Sequence, residues 1–272
     1  MANEHAVGLI GLGLVGRAIA ARLQAAGIDV LGYDISPEAM RAFEGNATPA
    51  AMQAKRIVLA VFDTADVERA VSESSASLYI DCTTGDPARV EALARGLAAR
   101  NVEFVEAPLA GSSEAIRSGE ATMFVGGDGS ACEDLLAAIS ARRIAVGPVG
   151  MAARAKLAVN LVLGLNRAAL AEGMAFAETI GIGRRQFLEL YRASPAASAA
   201  ALAKGEKMVS GDFGPESRIR QHLKDVQHIR RYARAALPLT AAHEKLLADA
   251  VAAGNGDLDN AAIILQYTRS KS

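Results

Sequence analysis

The sequence predicts a doubly wound parallel α/β sheet followed by an all-α C-terminal domain, and two observations support this prediction. From Ala6 to about Gly147, short apolar runs typical of buried strands alternate with helical segments, as they do in parallel βαβ units. From Met151 onward the pattern is helical only. We therefore expect two domains, residues 1–149 with the sheet and residues 150–272 with helices only.

The individual elements follow from the same patterns. Strands are predicted at Val7–Ile10, Asp29–Tyr33, Ile57–Val61, Leu78–Asp81, Glu103–Val105 and Met123–Val125. Helices are predicted at Val15–Ala26, Pro37–Phe43, Pro87–Arg100, Met151–Ile180, Arg185–Arg192, Glu216–Ala235 and Leu239–Ala252. The helix that begins at Met151 would be about 45 Å long at 1.5 Å per residue. It is too apolar for one small domain to bury, so we expect a homodimer or homotetramer through the helical domain.

Composition narrows the class of protein. The chain has 272 residues and a formal net charge of −1, which gives no general attraction to nucleic acids or anionic lipids. No uninterrupted apolar run suits a membrane span. The two cysteines fit a reducing compartment, and neither they nor the four histidines show metal-ligand spacing. We expect a cytoplasmic protein with no metal, nucleic-acid or membrane partner.

A glycine motif follows the first predicted strand and opens the first predicted helix. In the stretch "GLIGLGLVG", the first motif glycine permits a tight turn and the second lets the backbone approach a pyrophosphate. The third allows close packing of helix on strand, and the pyrophosphate would lie at the helix N-terminus. This context predicts a Rossmann-type dinucleotide site, whose expected cofactor-binding residues are Gly11, Leu12, Gly13, Leu14, Val15 and Gly16.

An acidic residue stands at the end of the second predicted strand. Asp34 lies eighteen residues after Gly16, near the spacing at which a carboxylate accepts hydrogen bonds from the adenosine ribose. Its charge would repel a 2′-phosphate, and no arginine follows it directly. The sequence therefore favours NAD over NADP as the cofactor.

The long apolar helix carries a lysine and an asparagine near its N-terminal end. Lys156 and Asn160 are four residues apart, so they lie on one helix face. Either they meet solvent at the helix start or they serve chemistry. A lysine beside a dinucleotide site can act as a proton donor because, unlike arginine, it can lose its proton, and burial lowers its pKa toward the useful range.

Four segments carry a resemblance to a known family. The segments "DCTTGDP", "EAPLAGSS", "GPVGMAARAKLAVN" and "HLKDVQHIRRYARAALPLTAAHEKL" occur in this order. They resemble the D-x-S-T-x-x-P loop, the substrate-binding stretch, the catalytic segment and the late K-D-L segment of the β-hydroxyacid dehydrogenases. That family includes 3-hydroxyisobutyrate dehydrogenase, tartronate semialdehyde reductase and 6-phosphogluconate dehydrogenase.

The resemblance implies catalytic roles for Lys156 and Asn160 and supporting roles for two residues of the late segment. Lys156 would be the general acid–base, and Asn160 would orient the lysine and the substrate oxygen. Lys224 would close over the site near both the cofactor and the substrate acid. Asp225 would hold Lys224 in place.

The resemblance also implies binding roles, with departures from the family pattern. Gly111 and Ser112 would present backbone N–H groups to a substrate carboxylate, whereas Ala110 replaces the usual serine of this stretch and Glu106 its leading aspartate. Thr84 would contact the nicotinamide half of the cofactor. Phe62, which with Asp63 replaces a leucine-proline pair, is also expected at the cofactor.

The expected activity is therefore hydride transfer between a nicotinamide cofactor and a small β-hydroxy acid or its semialdehyde, bound between the domains. Two alternatives stay open. An imine reductase of the same architecture would turn over a cyclic imine and no hydroxy acid, although such relatives usually lack the lysine. A non-catalytic nucleotide-binding module would bind NAD without turnover and bind DNA in a salt-sensitive manner.

Overall fold

The computed structural model describes residues 6–267. The chain divides into two compact units, Met1–Lys156 and Leu157–Ser272. The division falls inside a long helix, a few residues after the boundary between residues 149 and 150 that the sequence predicts. His5 lies outside the described residues.

In the described part of the first unit, the strands form one sheet. They are β1 (Val7–Ile10), β2 (Val30–Tyr33), β3 (Asn46–Ala47), β4 (Arg56–Leu59), β5 (Leu78–Asp81), β6 (Glu103–Glu106), β7 (Leu109–Ala110), β8 (Thr122–Gly126) and β9 (Arg142–Gly147). Their order is β3-β2-β1-β4-β5-β6-β8-β7, with β9 beside β8. All pairings from β3 to β6 are parallel, so the predicted doubly wound sheet is confirmed.

Helices cover both faces of this sheet. They are α1 (Leu14–Ala25), α2 (Pro37–Arg41), α3 (Thr64–Glu73), α4 (Pro87–Ala98), α5 (Ser113–Arg117) and α6 (Glu133–Ile139). Strand β5 illustrates this arrangement, because successive side chains of a strand point to opposite faces of the sheet. Leu78 and Ile80 belong to the core cluster that contains Ile19 of α1, whereas Tyr79 belongs to the cluster that contains Val67 of α3.

The far side of the sheet departs from the predicted parallel pattern. Strand β8 runs antiparallel to β6 and β7, and the sequence predicted neither β7 nor β9. Four of the six residues of β9 are exposed, so this strand lacks the buried apolar run on which the prediction depends. Its edge position explains the exposure, since in the described sheet it pairs only with β8.

The second unit is helical, as predicted. Its helices are α7 (Met151–Thr179), which begins in the first unit, α8 (Arg184–Arg192), α9 (Ala199–Ser210), α10 (Ile219–Tyr232) and α11 (Pro238–Ala252), with a 3₁₀ segment at Asn260–Gln266. Helix α9 is not among the helices that the sequence predicts. The core joins all of these elements through residues such as Leu170, Leu188, Met208, Val226, Leu247 and Ile263. No helix within residues 6–267 is both long and apolar enough to cross a membrane.

A buried ion pair ties the C-terminal segment of the second unit to α9. The Nζ atom of Lys204 donates to Asp259 Oδ2 at 3.0 Å and to Glu216 Oε2 at 2.7 Å. Asp259 is fully buried and also accepts backbone N–H bonds from Glu216, Ser217 and Ala261. Burial raises the pKa of Asp259, but the N–H bonds and the ammonium of Lys204 outweigh it and leave the pKa below its ordinary value. The carboxylate is therefore charged and fully partnered.

Candidate active site

The predicted cofactor residues gather at one edge of the first unit. The glycine loop follows β1, Asp34 follows β2, Phe62 follows β4 and Thr84 follows β5. Because these strands are parallel and adjacent, their carboxyl ends meet at the same edge of the sheet. Strands β2 and β4 flank β1 on opposite sides, so the strand order reverses direction at β1. Ligands bind at this point in such sheets.

The glycine loop fits a dinucleotide pyrophosphate. Helix α1 begins directly after Gly13, no side chain caps its N-terminus, and its first turn has no acidic residue. Its first backbone N–H groups therefore lack the side-chain acceptor that caps α2, α3, α4 and α5. A Cβ atom added to Gly13 would meet no protein atom within 4 Å. The loop thus offers open space over an uncapped, anion-favouring helix end.

The other two motif glycines are required by the protein itself. Gly11 has a φ of +96°, which side chains disfavour, and an added Cβ would overlap the carbonyl oxygen of Ala60. A Cβ on Gly16 would overlap the carbonyl oxygen of Gly11. These two positions set the turn and the close approach of α1 to β1.

We expect Gly13→Ala and Gly16→Ala to fail in different ways. The first should leave the melting temperature unchanged and weaken NAD binding by about tenfold or more, because its methyl group occupies the space of the ligand only. The second should lower the free energy of unfolding by about 1–3 kcal/mol or more, because its methyl group overlaps backbone. Calorimetric NAD titration and thermal unfolding of both variants measure this difference, and equal thermal destabilisation would contradict it.

Asp34 is anchored beside the glycine loop. Its Oδ2 atom accepts a hydrogen bond from the backbone N–H of Leu12 at 2.7 Å, and its Oδ1 atom accepts one from Ser36 at 2.8 Å. A carboxylate oxygen accepts more than one hydrogen bond, so ribose hydroxyls can still bind. The same side chain thus orders the glycine loop and presents negative charge at the end of β2.

The loops after β4 and β5 are tied to each other. The N–H of Val61 donates to Thr83 Oγ1 at 3.2 Å, and the N–H of Asp86 donates to Thr64 Oγ1 at 2.7 Å. Thr84 is half-buried, and the two residues before it and the two after it in the sequence are buried. The structure thus places Thr84 and the exposed Phe62 on neighbouring loops of the candidate site, and their cofactor roles stay predictions.

The predicted substrate stretch lies at the antiparallel side of the sheet. Ala110 ends β7, and Ser112 is the N-cap of α5, where its Oγ atom accepts a hydrogen bond from Ala115 N–H at 3.2 Å. A Cβ on Gly111 would lie 2.9 Å from the Cβ of Ala121. The Ser112 hydroxyl therefore has a structural task already, and substrate contacts by Ala110, Gly111 and Ser112 stay predictions.

Lys156 and Asn160 are buried rather than solvated. They lie one turn apart on α7 and are 6% and 7% exposed, respectively. This finding rules out the first option, that both side chains meet solvent, whereas their roles in chemistry stay predictions. Lys156 belongs to the same compact unit as the glycine loop.

Glu106, which the sequence analysis names only as a replacement for the leading aspartate of the substrate-binding stretch, has a role that was not predicted. Its carboxylate accepts hydrogen bonds from the backbone N–H groups of Gly150, Ala152 and Ala153 at the start of α7. One signal in the sequence indicates such a partner: "GPVGM" offers no Ser, Thr, Asp or Asn to cap this helix. A helix start that is buried without a local cap needs an acceptor from elsewhere in the chain.

In the second unit, Asp225 connects two predicted site residues. The amide Nδ2 of Asn160 donates to Asp225 Oδ2 at 2.8 Å, and the ammonium of Lys224 lies 3.3 Å from Asp225 Oδ1. The second contact is an ion pair without hydrogen-bond geometry, since Oδ1 accepts no hydrogen bond. The structure therefore places Asp225 against Lys224, as the resemblance implies, and adds a bond to Asn160 that the sequence did not predict.

A buried pair of histidines packs against Gly164 of α7, one helical turn after Asn160. The Nε2 atoms of His222 and His243 are 3.0 Å apart, so the N–H of one ring donates a hydrogen bond to the nitrogen of the other. A Cβ on Gly164 would lie 2.9 Å from His243 Nε2, which explains the glycine there. Burial, together with the positive charge of Arg167, lowers the pKa of His243 to about 4. His243 is therefore neutral at physiological pH.

This pair makes the stability of the protein depend on pH. Between pH 6.5 and about 4, the unfolded chain binds a proton at His243 that the folded chain does not, so stability falls as pH falls through this range. We expect a loss of about 3 kcal/mol between pH 7 and pH 4 from this group. Urea unfolding of wild type and His243→Gln at both pH values measures it, and an equal loss in both proteins would contradict the assignment.

Within residues 6–267, no group of three or more His, Cys, Asp and Glu side chains is arranged to hold a metal ion.

The basic helix α10 carries paired charges at several positions. Arg220 contacts Asp257 at 2.6 Å, and Arg230 contacts Glu244 at 3.3 Å.

Two family profiles match the chain. The profile described as the NAD binding domain of 6-phosphogluconate dehydrogenase matches residues 6–147. The profile described as NAD-binding of NADP-dependent 3-hydroxyisobutyrate dehydrogenase matches residues 150–267. A solved structure of 3-hydroxyisobutyrate dehydrogenase from Salmonella typhimurium is similar to this one, with a TM-score of 0.86 and 25% identity. That likeness covers 95% of this chain and 98% of the other.

Curated relatives show the same likeness. L-threonate dehydrogenase of Cupriavidus necator is 29% identical over 95% of this chain and 94% of its own length. The cytokine-like nuclear factor N-PAC of Aedes aegypti is 26% identical over 71% of this chain. The chain spans only about a third of N-PAC, since the match covers 35% of that protein.

Proposed function

Because the chain belongs to the β-hydroxyacid dehydrogenase family and is an NAD(P)-binding oxidoreductase of that family, we propose that it interconverts a small β-hydroxy acid and its carbonyl form, with Lys156 as the general acid–base. The observation that carries this proposal is the burial of Lys156, at 6% exposure, in the compact unit that holds the glycine loop. A buried, titratable amine is suited to proton transfer.

The bound dinucleotide supplies the hydride for reduction or accepts it in oxidation. In oxidation, the neutral amine of Lys156 takes the proton of the substrate hydroxyl as the carbonyl bond forms. In reduction, the ammonium returns that proton to the carbonyl oxygen. Asn160, held by Asp225, orients the polar groups on this face of α7. Gly111 and Ser112 present backbone N–H groups to the substrate carboxylate.

We propose NAD rather than NADP as the preferred cofactor. The carboxylate of Asp34 is held in place by Leu12 and Ser36, at the position where a 2′-phosphate would bring a second negative charge close to it. No arginine follows directly in the sequence to compensate.

The experiment is a screen of three- to five-carbon hydroxy acids with NAD and with NADP. The panel includes 3-hydroxyisobutyrate and L-threonate, which the names of the relatives suggest. Reduced cofactor is followed by its absorbance. We expect turnover of at least one hydroxy acid, with a higher kcat/KM for NAD. Turnover of a cyclic imine only, or tight NAD binding without any turnover, would overturn the proposal in favour of an imine reductase or a non-catalytic module.

We also propose a homodimer or homotetramer through the helical unit and a cytoplasmic location. Val159, Val162 and Phe176 leave apolar surface exposed along α7, and Ile180 adds to it directly after the helix end. Such surface is typical of an interface. Analytical ultracentrifugation measures the oligomeric state.

A further inference from the structure

Glu106 is the last residue of β6, and its carboxylate is buried at the start of α7. It is 2% exposed and accepts hydrogen bonds from Gly150, from Ala152 at 3.3 Å and from Ala153 at 3.3 Å. These N–H groups belong to the first turn of the helix, where no preceding carbonyl can accept them. A negative charge is also favoured at this end of a helix by the helix dipole.

A glycine on the neighbouring strand leaves space for this carboxylate. Glu106 pairs with Gly126 in the antiparallel contact between β6 and β8. A Cβ on Gly126 would lie 2.7 Å from Glu106 Oε2 and 3.2 Å from the Cβ of Ala152. Only glycine at this position therefore lets the strand, the carboxylate and the helix start come together.

Lys156 lies one helical turn after the start of α7 that Glu106 caps. It follows Ala152 by four residues and Ala153 by three, so it lies on the same helix face as these two residues. Helical side chains lean toward the N-terminus of their helix. By this rule we expect the aliphatic part of Lys156 to extend toward the turn that Glu106 caps, and both side chains are buried.

The charge state of Glu106 is a balance of opposing effects. Burial raises the pKa of its carboxyl, whereas the N–H bonds from Gly150, Ala153 and Ala152 and the charge of Arg154 lower it, and the net pKa lies above the ordinary value. The three N–H donors all favour the ionised form. The three N–H donors and the charge of Arg154 thus offset part of the cost of burying this carboxylate.

We propose that Glu106 is a positioning residue for Lys156. Its carboxylate fixes the first turn of α7, and its negative charge favours the protonated form of the Lys156 amine. This inference rests on the proposed role of Lys156 as the general acid–base.

The experiment compares Glu106→Gln, which removes the charge at constant size, with Glu106→Asp, which keeps the charge on a shorter side chain. The titration midpoint of Lys156 is measured by NMR of isotope-labelled lysine, with its signal assigned by its absence in Lys156→Ala. We expect Glu106→Gln to lower this midpoint by about half a pH unit and Glu106→Asp to leave it near that of the wild type.

Turnover gives the second readout. In the oxidation of the best substrate from the screen, Glu106→Gln should lower kcat about tenfold or more through misplacement of α7. The acidic limb of its pH profile should move to lower pH, in step with the NMR midpoint. NAD affinity, measured by calorimetry, should stay unchanged, because the glycine loop lies on other strands.

The outcomes separate this inference from the proposed function. If Lys156→Ala keeps full turnover, the role of Lys156 is wrong, whatever Glu106 does. If Lys156→Ala loses turnover while Glu106→Gln moves neither the midpoint nor the pH limb, the inference about Glu106 is overturned alone. An equal loss of stability in both Glu106 variants without any shift in the midpoint would identify a purely structural cap and would also overturn it.

Discussion

Replacing Lys156 by alanine is expected to reduce kcat on the best hydroxy acid by about 10²- to 10⁴-fold, the usual contribution of general acid–base catalysis. The amine is buried on a helix whose first turn is held by Glu106, so no water molecule from bulk solvent easily takes its place. The NAD dissociation constant should change little, because the glycine loop and Asp34 are on other elements of the first unit. Steady-state kinetics and calorimetry measure the two effects.

Two control variants sharpen this result. Lys156→Arg keeps the positive charge but cannot give up its proton at accessible pH, so it should be nearly as slow as the alanine variant. Lys245→Ala removes an exposed lysine from a surface ion pair with Asp249 and should keep wild-type turnover. Activity of the arginine variant close to that of the wild type would show that the charge of Lys156, and not its proton transfer, matters.

Replacing Lys204 by methionine is expected to lower the free energy of unfolding by about 3 kcal/mol. Removal of one partner from a buried ion pair typically costs about 3–5 kcal/mol, because the other charge stays buried without compensation. Here Asp259 is left fully buried and ionised, although it keeps its N–H bonds from Glu216, Ser217 and Ala261. These bonds place the expected loss at the low end of the range. Urea unfolding at pH 7 measures it.

The same experiment has an internal control and a pH test. Lys245→Met breaks an exposed ion pair at 2.6 Å and should cost less than about 1 kcal/mol. Without Lys204, the pKa of Asp259 rises, so the carboxyl takes up a proton as the pH is lowered and the deficit of the variant shrinks. A deficit that is the same at pH 7 and pH 4 would contradict the assignment to a stranded charge.

Much of the fold could be predicted because its signals are local. The glycine motif occurs between an apolar run and a helical pattern, and these neighbours in sequence are neighbours in space. The structure adds the reason for each glycine: Gly11 and Gly16 would collide with backbone, whereas Gly13 faces open space. The edge strand β9 was missed because four of its six residues are exposed, so it lacks the buried apolar run that predicts a strand.

The parts of the site that were not predicted depend on contacts between distant segments. Glu106 and Ala153 are separated by 47 residues, and Asn160 and Asp225 by 65. Nothing in the local sequence around Glu106 indicates that its carboxylate serves a helix start elsewhere. His243 is likewise buried against His222 through the packing of two helices on Gly164, and its low pKa follows from that burial.

By itself, the sequence determined the doubly wound sheet, the helical second half, the dinucleotide motif and the face of α7 on which Lys156 and Asn160 lie. Each of these depends on the periodicity of side chains along a strand or helix, which the chain carries locally. Only the tertiary structure decided that Lys156 is buried, that Glu106 caps its helix, that Asp225 holds Asn160 and that Asp259 keeps a buried charge. Burial and charge pairing depend on contacts between segments that are distant in the sequence. These contacts form only when the chain folds.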